Sequence, residues 1–410
     1  MEKPGSILIK NVWHKGVITN ILIKGNRFES TDAAPDTPAD KVIQGEGFAI
    51  LPPFFNTHTH AAMSLLRGYA DDMELDTWLH KHIWPAEGKL TSADIYRGTR
   101  FAILEMIKSG TAFFSDMYFS FYYVVQAAKE MGLRAAIGIT MMDSFSDEEK
   151  DNGFDILRNW QDPTEGLLTA TIAPHAIYTC GPKLLVRCAD AAATCHTKLH
   201  IHLAETYKEV SDCIREHGTT PVRYLDQLGI LGPNVIAAHC VHLDAAEWNI
   251  LAERGVTVAH CPASNMKLSS GRLGYESAIM SGVRMTLGTD GDASNNNQDM
   301  REEMKLAALF AKSAGDPTLL SAKTIFSWAT RGGAEAFGID SGEIAPGRLA
   351  DALLVDLRNE RLRPIHHLIS NWVYAADSSC IDTLIVDGRI IMEHRHVEGE
   401  EEIIDSIYLN

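Results

Sequence analysis

The chain has 410 residues, of which 37 are Lys or Arg and 54 are Asp or Glu, so its formal net charge at pH 7 is -17. A chain this acidic repels nucleic acids and anionic lipids, which argues against binding to either class of partner. The hydrophobic fraction of 45% and the charged fraction of 22% are typical of a folded globular protein. The length suits a large α/β barrel with an accessory domain.

The N-terminal sequence, MEKPGSILIKNVWHKG, contains no long apolar segment followed by a cleavage site of small residues. No later segment approaches the ~18 consecutive apolar residues of a membrane-spanning helix. The sequence therefore predicts a cytoplasmic protein that binds neither membranes nor nucleic acids.

Both ends of the chain are predicted to form short β-strands. The first part contains the apolar runs ILIKNVW, VITNILIKG and KVIQGEGFAIL, and the last part contains LADALLVDL and CIDTLIVDGRIIM. The pair Asp387-Gly388 between two apolar runs is a strong hairpin signal. Because neither end has enough strands to bury a face alone, we expect residues 1–52 and 343–410 to join into one small β-sandwich domain.

Residues 53–342 alternate short apolar runs with amphipathic helical segments, which is typical of a parallel sheet. Eight of these runs end in polar residues: AILPPFFNTHTH, TAFFSDMYF, LRAAIGITMMD, LLTATIAPHAIY, KLHIHLAET, NVIAAHCVH, GVTVAHCPAS and VRMTLGTDGDAS. Eight strands close a TIM-type (β/α)8 barrel, whose chemistry lies at the carboxyl ends of the strands. The predicted fold class is therefore α/β, with a catalytic (β/α)8 barrel over residues 53–342 and a β-sandwich built from both termini.

Polar side chains at the ends of these runs suggest a metal centre. His58 and His60 are two residues apart on the first barrel strand, so both imidazoles point to the same, inner side. Two histidines on an exposed strand end would have the same spacing. However, His202 on the fifth run, His239 on the sixth and Asp290 on the eighth also lie where a barrel presents its side chains to the mouth. Five such positions favour metal binding.

Three imidazoles and a carboxylate, from His58, His60, His202 and Asp290, suit zinc or iron with an open position for water. Barrels that bridge two metals through a carboxylated lysine place it at the end of the fourth strand, and the fourth run here contains no lysine. We therefore expect one divalent metal ion, zinc first and iron as the alternative, which activates water. His239 is either a fourth ligand or, as we prefer, a neighbour that positions the water and the reacting carbon.

Further side chains are predicted to act on the water or the substrate. Glu205, three residues after His202, suits a proton shuttle to a bound heterocycle, although a solvated glutamate at a helix start has the same pattern. Asp290 has a second compatible role as acceptor of the proton of the water. His175, at the end of the fourth run, is predicted to donate to a nitrogen or oxygen of the substrate, with a structural histidine as the alternative.

Other histidines are assigned no metal. His80 and His82 lie in a segment with helical character, where residues two apart do not face each other. His260 at the end of the seventh run is either a neighbour of Asp290 or a packing residue. The histidines near the C-terminus are predicted to lie on the surface: His366, His367, His394 and His396.

Together, these motifs resemble the metal-dependent amidohydrolase superfamily over nearly the whole chain. They are FNTHTH, HLAET, AAHCVHL, HCPASNMKL, LGTDGDASNN and GEIAPGRLADALLVDL, in this order. Within the superfamily, the segments NTHTHAAMSLLRGYADD, DTWL and SDMYF are most similar to deaminases of 5-methylthioadenosine and S-adenosylhomocysteine. The relatives of these deaminases include chlorohydrolases and other aminohydrolases of nitrogen heterocycles.

The resemblance implies the same metal ligands as the residue pattern, and Glu205 as the proton shuttle. It adds that Glu87 binds the ribose hydroxyls, that Trp78 lines the substrate pocket and that His175 contacts the substrate. It also allows for a homo-oligomer, since members of the family often form oligomers.

One region departs from the family, which has substrate-contacting arginines late in the third barrel strand and in the loop after it. Here the strand has Ile139 near the first position, and the loop offers only Lys150. The carboxylate of S-adenosylhomocysteine would lose its bidentate partner. We therefore expect a neutral adenosine thioether, adenosine or another amino-heterocycle to be preferred.

The predicted reaction is hydrolytic deamination of an adenine-type nucleoside, namely 5-methylthioadenosine, adenosine or S-adenosylhomocysteine, to the inosine-type product and ammonia. Asp290 would take the proton of the water, Glu205 would protonate the ring nitrogen and then the leaving amine, and His239 would stabilise the attacking oxygen. One alternative is an aminohydrolase or chlorohydrolase of another nitrogen heterocycle, of the guanine, pterin or triazine type. Another is a non-catalytic binding protein on the same fold, against which the complete ligand set argues.

Overall fold

The computed structural model describes residues 4–313 and 315–408. In chain order the strands are β1 (Ser6–His14), β2 (Val17–Lys24), β3 (Arg27–Ser30), β4 (Lys41–Gln44), β5 (Phe48–Leu51), β6 (Phe54–Thr59), β7 (Thr111–Tyr118), β8 (Arg134–Met141), β9 (Leu168–Pro174), β10 (Leu199–Leu203), β11 (Val235–His239), β12 (Thr257–His260), β13 (Arg284–Leu287), β14 (Ala352–Asp356), β15 (Ile381–Val386) and β16 (Arg389–Met392).

The α-helices are α1 (Leu75–Trp78), α2 (Trp84–Glu87), α3 (Ser92–Lys108), α4 (Phe121–Met131), α5 (Asp147–Arg158), α6 (Pro182–Thr194), α7 (Tyr207–His217), α8 (Pro221–Gln227), α9 (Ala245–Arg254), α10 (Pro262–Lys267), α11 (Tyr275–Ser281), α12 (Asp292–Asn295), α13 (Met300–Lys312), α14 (Ala322–Ser327), α15 (Gly333–Ala336), α16 (Leu368–Tyr374) and α17 (Glu400–Tyr408). Short 3-10 turns cover Ala61–Leu66, Glu360–Leu362 and Ser378–Cys380, and π-helical turns cover Leu79–Ile83 and Trp328–Gly332.

The central sheet is the predicted barrel. Strands β6 to β13 pair in chain order, each parallel to the next. The first and last strands also meet, because the backbone N–H of Asp290 donates to the carbonyl of His58 at 3.0 Å. Gly288 permits this approach, since a Cβ there would lie 2.7 Å from the carbonyl oxygen of His58. All eight predicted runs are strands, and the (β/α)8 fold is confirmed.

Local sequence explains why the intervening segments are helical. Helix α3 begins with a capping box, in which Thr91 and Asp94 satisfy each other's backbone N–H groups. Its apolar residues recur on one face, where Ile95, Ala102 and Ile103 are buried against the barrel core. Helical segments of this kind cover the outside of the strands and leave their carboxyl ends to form the mouth.

The second sheet combines strands from both ends of the chain, as expected. Its order is β16-β15-β14-β5-β1-β2-β3, with β4 also paired to β1. Strand β1 has a bulge at Asn11, whose φ is 56°, so its first half pairs with β4 and Trp13 pairs with Ala49 of β5. The sheet encloses its own apolar core around Ile9, Ile23 and Leu354. The domain boundaries at residues 52/53 and 342/343 remain a prediction.

The C-terminal part differs in detail from the predicted all-strand pattern. The hairpin is confirmed, with φ of 53° at Asp387 and 72° at Gly388 between β15 and β16. However, α16 and α17 are helices. Helix α17 begins after Gly399 with three glutamates in its first turn, which favours a helix start, and it buries Ile403.

A buried ion-pair cluster joins the two sheets. Arg134, at the start of β8, contacts the carboxylate of Asp351 at 3.0 Å and that of Asp387 at 2.7 Å. The side chains of Arg134 and Asp351 are 3% and 0% exposed. Loss of either partner would therefore leave the charge of the other buried without compensation.

Within the described residues, no helix combines the length and the apolar character needed to cross a membrane.

Candidate active site

The barrel brings the predicted metal ligands together at its mouth. The Nε2 atoms of His58 and His60 lie 3.4 and 3.2 Å from Oδ1 of Asp290. The Nε2 atoms of His60 and His202 are 3.3 Å apart. Two groups have donor atoms within 4.8 Å of one another, which is close enough to share a metal ion: His58, His60 and Asp290, and His58, His202 and His239.

Each of these four imidazoles uses Nδ1 for a contact outside the cluster. His60 and His202 donate from Nδ1 to the backbone carbonyls of Met117 at 2.6 Å and His175 at 2.7 Å. Because a carbonyl only accepts, each of these two rings carries a proton on Nδ1, and Nε2 is the nitrogen that faces the cluster. The Nδ1 of His58 faces a nitrogen of His200, and that of His239 faces the side-chain oxygen of Asn265 at 2.8 Å.

Asp290 is oriented by several short contacts. Its Oδ2 accepts from the hydroxyls of Ser264 at 2.6 Å and Ser294 at 3.2 Å, while Oδ1 faces the histidines and accepts from the N–H of Gly291 at 2.9 Å. Asp290 and His239 have φ values of 62° and 71°, in the left-handed region that non-glycine residues seldom adopt. Such backbone strain is typical of functional sites.

The electrostatics of the cluster favour a cation. Burial lowers the pKa of His58 to about 4 and that of His202 well below its usual value, so both rings are neutral. Burial alone would raise the pKa of Asp290, but contacts with His58 and His60 hold it well below its usual value. His60 differs, because contact with Asp290 outweighs burial and raises its pKa to about 9. A metal cation would therefore compete with one proton at this site.

Glu205 lies in the same cluster, just after β10. Its Oε1 accepts from the hydroxyl of Ser270 at 2.9 Å, and its Oε2 is 3.7 Å from Nε2 of His239. The carboxylate of Glu209 accepts from the backbone N–H groups of Ala204 and Glu205, both at 2.8 Å, and so orders this turn. Burial raises the pKa of Glu205, which brings it closer to neutral pH, as suits a group that gives and takes a proton.

A cavity extends from this cluster and is lined by the remaining predicted residues, Trp78, Glu87 and His175. The indole of Trp78 is buried and donates to the carbonyl of Ala70 at 3.0 Å. Nδ1 of His175 contacts the hydroxyl of Thr179 at 3.0 Å. Burial lowers the pKa of His175 to about 3, so its ring is neutral.

Glu87 faces the cavity with unused hydrogen-bonding capacity. Its carboxylate interacts with the hydroxyl of Tyr118, which also lines the cavity. Both Oε1 of Glu87 and this hydroxyl are buried, and neither makes a hydrogen bond of ordinary geometry in the described part of the chain. Buried polar atoms without partners are uncommon in proteins, and a pair of them beside a cavity suits a ligand that carries hydroxyl groups.

Among the described residues, the histidines to which the sequence assigned no metal make no hydrogen bond to this cluster. His80 and His82 lie on the helical turns that precede α2, as predicted, and His366, His367, His394 and His396 are exposed. His260 has a nitrogen 2.8 Å from the hydroxyl of Tyr275, and among the described residues it makes no hydrogen bond to Asp290. Neither Ile139 nor Lys150 lines the cavity, and Lys150 pairs with Asp147 at 3.1 Å.

Sequence reasoning missed several residues that contact the cluster. The clearest is His200, since the strand period that points His202 inward also points His200 inward. The alternation His200-Ile201-His202 in the sequence already indicated that both histidines point to the same side of the strand. Ser264 and Asn265 lie in a motif that marked the family resemblance, but nothing in their spacing showed that they would reach Asp290 and His239. Other missed residues at the site include Glu209, Ser270, Ser294 and Tyr118.

Comparisons with known proteins agree with this geometry. A relative from Archaeoglobus fulgidus named 5-methylthioadenosine/S-adenosylhomocysteine deaminase 1 is 47% identical over 403 residues, which cover 97% of this chain and 95% of the relative. A 5'-deoxyadenosine deaminase from Methanothermobacter thermautotrophicus is 44% identical over 397 residues, 95% of this chain and 92% of the relative.

The solved structure of an adenosine deaminase from Xanthomonas campestris with bound zinc superposes with a TM-score of 0.91 at 32% identity, covering 98% of this chain and 96% of that chain. The model of the amidohydrolase family matches residues 49–391, which include the whole barrel and part of the terminal sheet. The chain therefore belongs to the amidohydrolase family.

Proposed function

We propose that the protein hydrolytically deaminates an adenine-type nucleoside, such as 5-methylthioadenosine, adenosine or S-adenosylhomocysteine, to the inosine-type nucleoside and ammonia. One observation carries the proposal: a single cavity has Glu205 and histidines of the cluster among its lining residues, together with the carboxylate of Glu87. A nucleoside needs both features, because its base must reach the reacting groups while its ribose needs hydrogen-bond acceptors. The names of the relatives support the same reaction.

We infer that His58, His60, His202 and Asp290 hold one divalent metal ion, with zinc as the first candidate. Nε2 of His58 is buried without a hydrogen-bond partner in the described structure, as expected of a metal ligand. The donor set of imidazole nitrogens and a carboxylate oxygen suits zinc, which the solved adenosine deaminase contains. When bound, the metal supplies the Lewis acidity that makes water a nucleophile near neutral pH.

The residues of the chain then have separate tasks. Asp290 accepts a proton from the water, and His239, whose Nε2 faces Glu205, stabilises the attacking oxygen. A bond forms between this oxygen and the amine-bearing carbon of the ring, and Glu205 protonates the adjacent ring nitrogen. Glu205 then takes up the proton left on the attacking oxygen and delivers it to the amine, the carbon–nitrogen bond breaks, and ammonia leaves. The proton held by Asp290 returns to Glu205, which restores both groups for the next turnover.

The other residues that line the cavity bind the substrate. Glu87 accepts hydrogen bonds from the ribose hydroxyls, His175 donates to the substrate, and Trp78 forms part of the wall. The described residues that line the cavity include no Lys or Arg. A charged amino-acid group on the 5' carbon would lack a cationic partner, so a neutral 5' substituent should be preferred.

The experiment measures release of ammonia by the zinc-loaded protein with 5-methylthioadenosine, 5'-deoxyadenosine, adenosine, S-adenosylhomocysteine, guanine and cytosine, and release of chloride from a chlorinated triazine. We expect the neutral adenosines to react best and S-adenosylhomocysteine to react with a lower kcat/KM. A preference for guanine or the triazine, or no reaction with any adenosine, would overturn the proposal. A non-catalytic binding protein would release no ammonia from any compound.

A further inference from the structure

A second histidine of β10 lies beneath the candidate metal cluster, and no step of the proposed reaction uses it. His200 is two residues before His202, so both side chains point into the barrel, and His200 is 0% exposed. Its Nε2 lies 2.9 Å from Nδ1 of His58, and its Nδ1 lies 3.2 Å from the hydroxyl of Ser115. Both ring nitrogens of His200 are therefore engaged.

The direction of this hydrogen-bond chain follows from the role of His58. If Nε2 of His58 gives its lone pair to a cation, the proton of that ring is on Nδ1 and is donated to Nε2 of His200. His200 must then carry its own proton on Nδ1 and donate it to the oxygen of Ser115. With a cation on Nε2 of His58, each of these two links has one donor and one acceptor in this direction.

His58 differs in this respect from the other two imidazole ligands. His60 and His202 donate from Nδ1 to backbone carbonyls. A backbone carbonyl can only accept, so it fixes the position of the proton on each ring. His58 donates to a side chain instead, and its orientation therefore depends on one residue that a substitution can remove. The rings of His58 and His200 meet nearly at right angles, with an interplanar angle of 76° and centroids 4.9 Å apart.

We propose that His200 is a positioning residue, which holds His58 in the tautomer and orientation that bind the metal. The inference rests on the metal site proposed above and deepens it. Partners of this kind on the second nitrogen of a ligating histidine typically change metal affinity by about 10- to 100-fold. Without an acceptor, the Nδ1–H of His58 would be buried without a partner.

The test compares His200→Gln with His200→Met, two side chains of similar length. The amide oxygen of glutamine can accept from His58, whereas methionine provides no comparable acceptor. The affinity of the purified protein for Zn²⁺ alone is measured by competition with a chromophoric chelator, so no substrate or activity is involved. We expect His200→Met to bind zinc about 10- to 100-fold more weakly than the wild type, and His200→Gln to stay within about threefold.

Ser115→Ala provides a second measurement that does not depend on the folding of His200→Met. Removing the last acceptor of the chain should weaken zinc binding by about threefold or more, because the Nδ1–H of His200 loses its partner. Ser109→Ala is the matched control, since Ser109 is also buried but bonds only to backbone carbonyls among the described residues, those of Glu105, Met106 and Gln298. Its zinc affinity should equal that of the wild type.

Two results would overturn the inference while leaving the metal site in place. One is a His200→Met variant that binds zinc as tightly as the wild type. The other is an equal loss in His200→Gln and His200→Met with no change in Ser115→Ala, which would mean that His200 only fills space. If the wild type itself bound no stoichiometric zinc, the proposed metal site would fail as well, so the two failures are distinguishable.

Discussion

The Oε2 atom of Glu205 lies 3.7 Å from Nε2 of His239, at the inner end of the cavity. One carboxylate that can carry a proton and one imidazole that can bind an oxygen therefore face the same small volume. Ser270 holds the other oxygen of Glu205 through a hydrogen bond of 2.9 Å, so the carboxylate has a defined orientation.

Replacing Glu205 should stop catalysis without removing the metal. In Glu205→Gln we expect kcat to fall by about 10²- to 10⁴-fold, because the amide cannot carry a proton between water and substrate. Zinc content, measured by mass spectrometry of the purified protein, should match that of the wild type. His58→Ala is the contrast, since it should lose zinc and activity together. Parallel loss of zinc and activity in Glu205→Gln would contradict the shuttle role.

Asn265 should matter through His239. Its side-chain oxygen lies 2.8 Å from Nδ1 of His239, and in Asn265→Leu this contact is lost while the volume is nearly kept. We expect kcat to fall about tenfold with KM little changed, which corresponds to one buried hydrogen bond. Tyr275→Phe is the control, because it removes a comparable contact from His260, outside the cluster, and should leave kcat within about twofold. A fall in kcat of similar size in both variants would point to general loosening of the barrel.

Glu87 should control substrate binding and its pH dependence. Burial raises the pKa of Glu87 above the usual value for glutamate, so the carboxylate becomes ionised at a higher pH than an exposed one. The ionised form accepts best from the ribose hydroxyls. Consequently, KM for the nucleoside should decrease as the pH rises through this raised pKa, and kcat/KM profiles between about pH 5 and 8 would show it.

In Glu87→Gln this pH dependence of KM should vanish, and KM should rise by about tenfold or more, as for loss of hydrogen bonds to a charged group. A 2',3'-dideoxy substrate is the control, since it lacks the hydroxyls and should react equally with both proteins. If the variant affected both substrates alike, Glu87 would not act on the ribose.

Arg134 should stabilise the contact between the barrel and the terminal sheet. In Arg134→Met the carboxylate of Asp351 would be buried without its cation, a change that typically costs about 3 to 5 kcal/mol. Thermal unfolding at saturating zinc should show a Tm lower by about 5 °C or more. Adding Asp351→Asn should recover part of the loss, because it removes the unpaired charge.

The control for this pair is Lys24→Met, which breaks an exposed ion pair with Glu29 at 3.4 Å. Exposed pairs contribute little, so its Tm should stay within about 1 °C of the wild type. A double variant of Arg134 and Asp351 that is less stable than Arg134→Met alone would contradict the proposed source of the instability.

Much of the fold could be predicted because it follows from local patterns. Alternation of apolar runs and amphipathic segments marked all eight barrel strands, and the Asp387-Gly388 pair marked the hairpin. Helices α16 and α17 were missed because they are short and lie beside strands in a region with few helical signals. Their apolar residues show a pattern only once their packing partners are known.

The part of the candidate site that lies on the barrel strands was predictable, because the geometry of a strand fixes which side chains point toward the mouth of the barrel. His58, His60, His202, His239 and Asp290 lie at or just beyond the ends of four barrel strands, and a parallel barrel brings those ends to one mouth. Glu87 and Trp78 came from the family resemblance. No periodicity shows that their helical segment reaches the cavity.

The sequence by itself determined the class of fold, the candidate set of metal-ligating side chains and the acidic character of the chain, because these depend on residue types and on short periods of two and 3.6. Only the tertiary structure decided which atoms meet: the approach of His200 to His58, of Asn265 to His239 and of Ser264 to Asp290. These pairs are 142, 26 and 26 residues apart. Contacts over such separations are set by how the strands close into a barrel, and no local pattern encodes them.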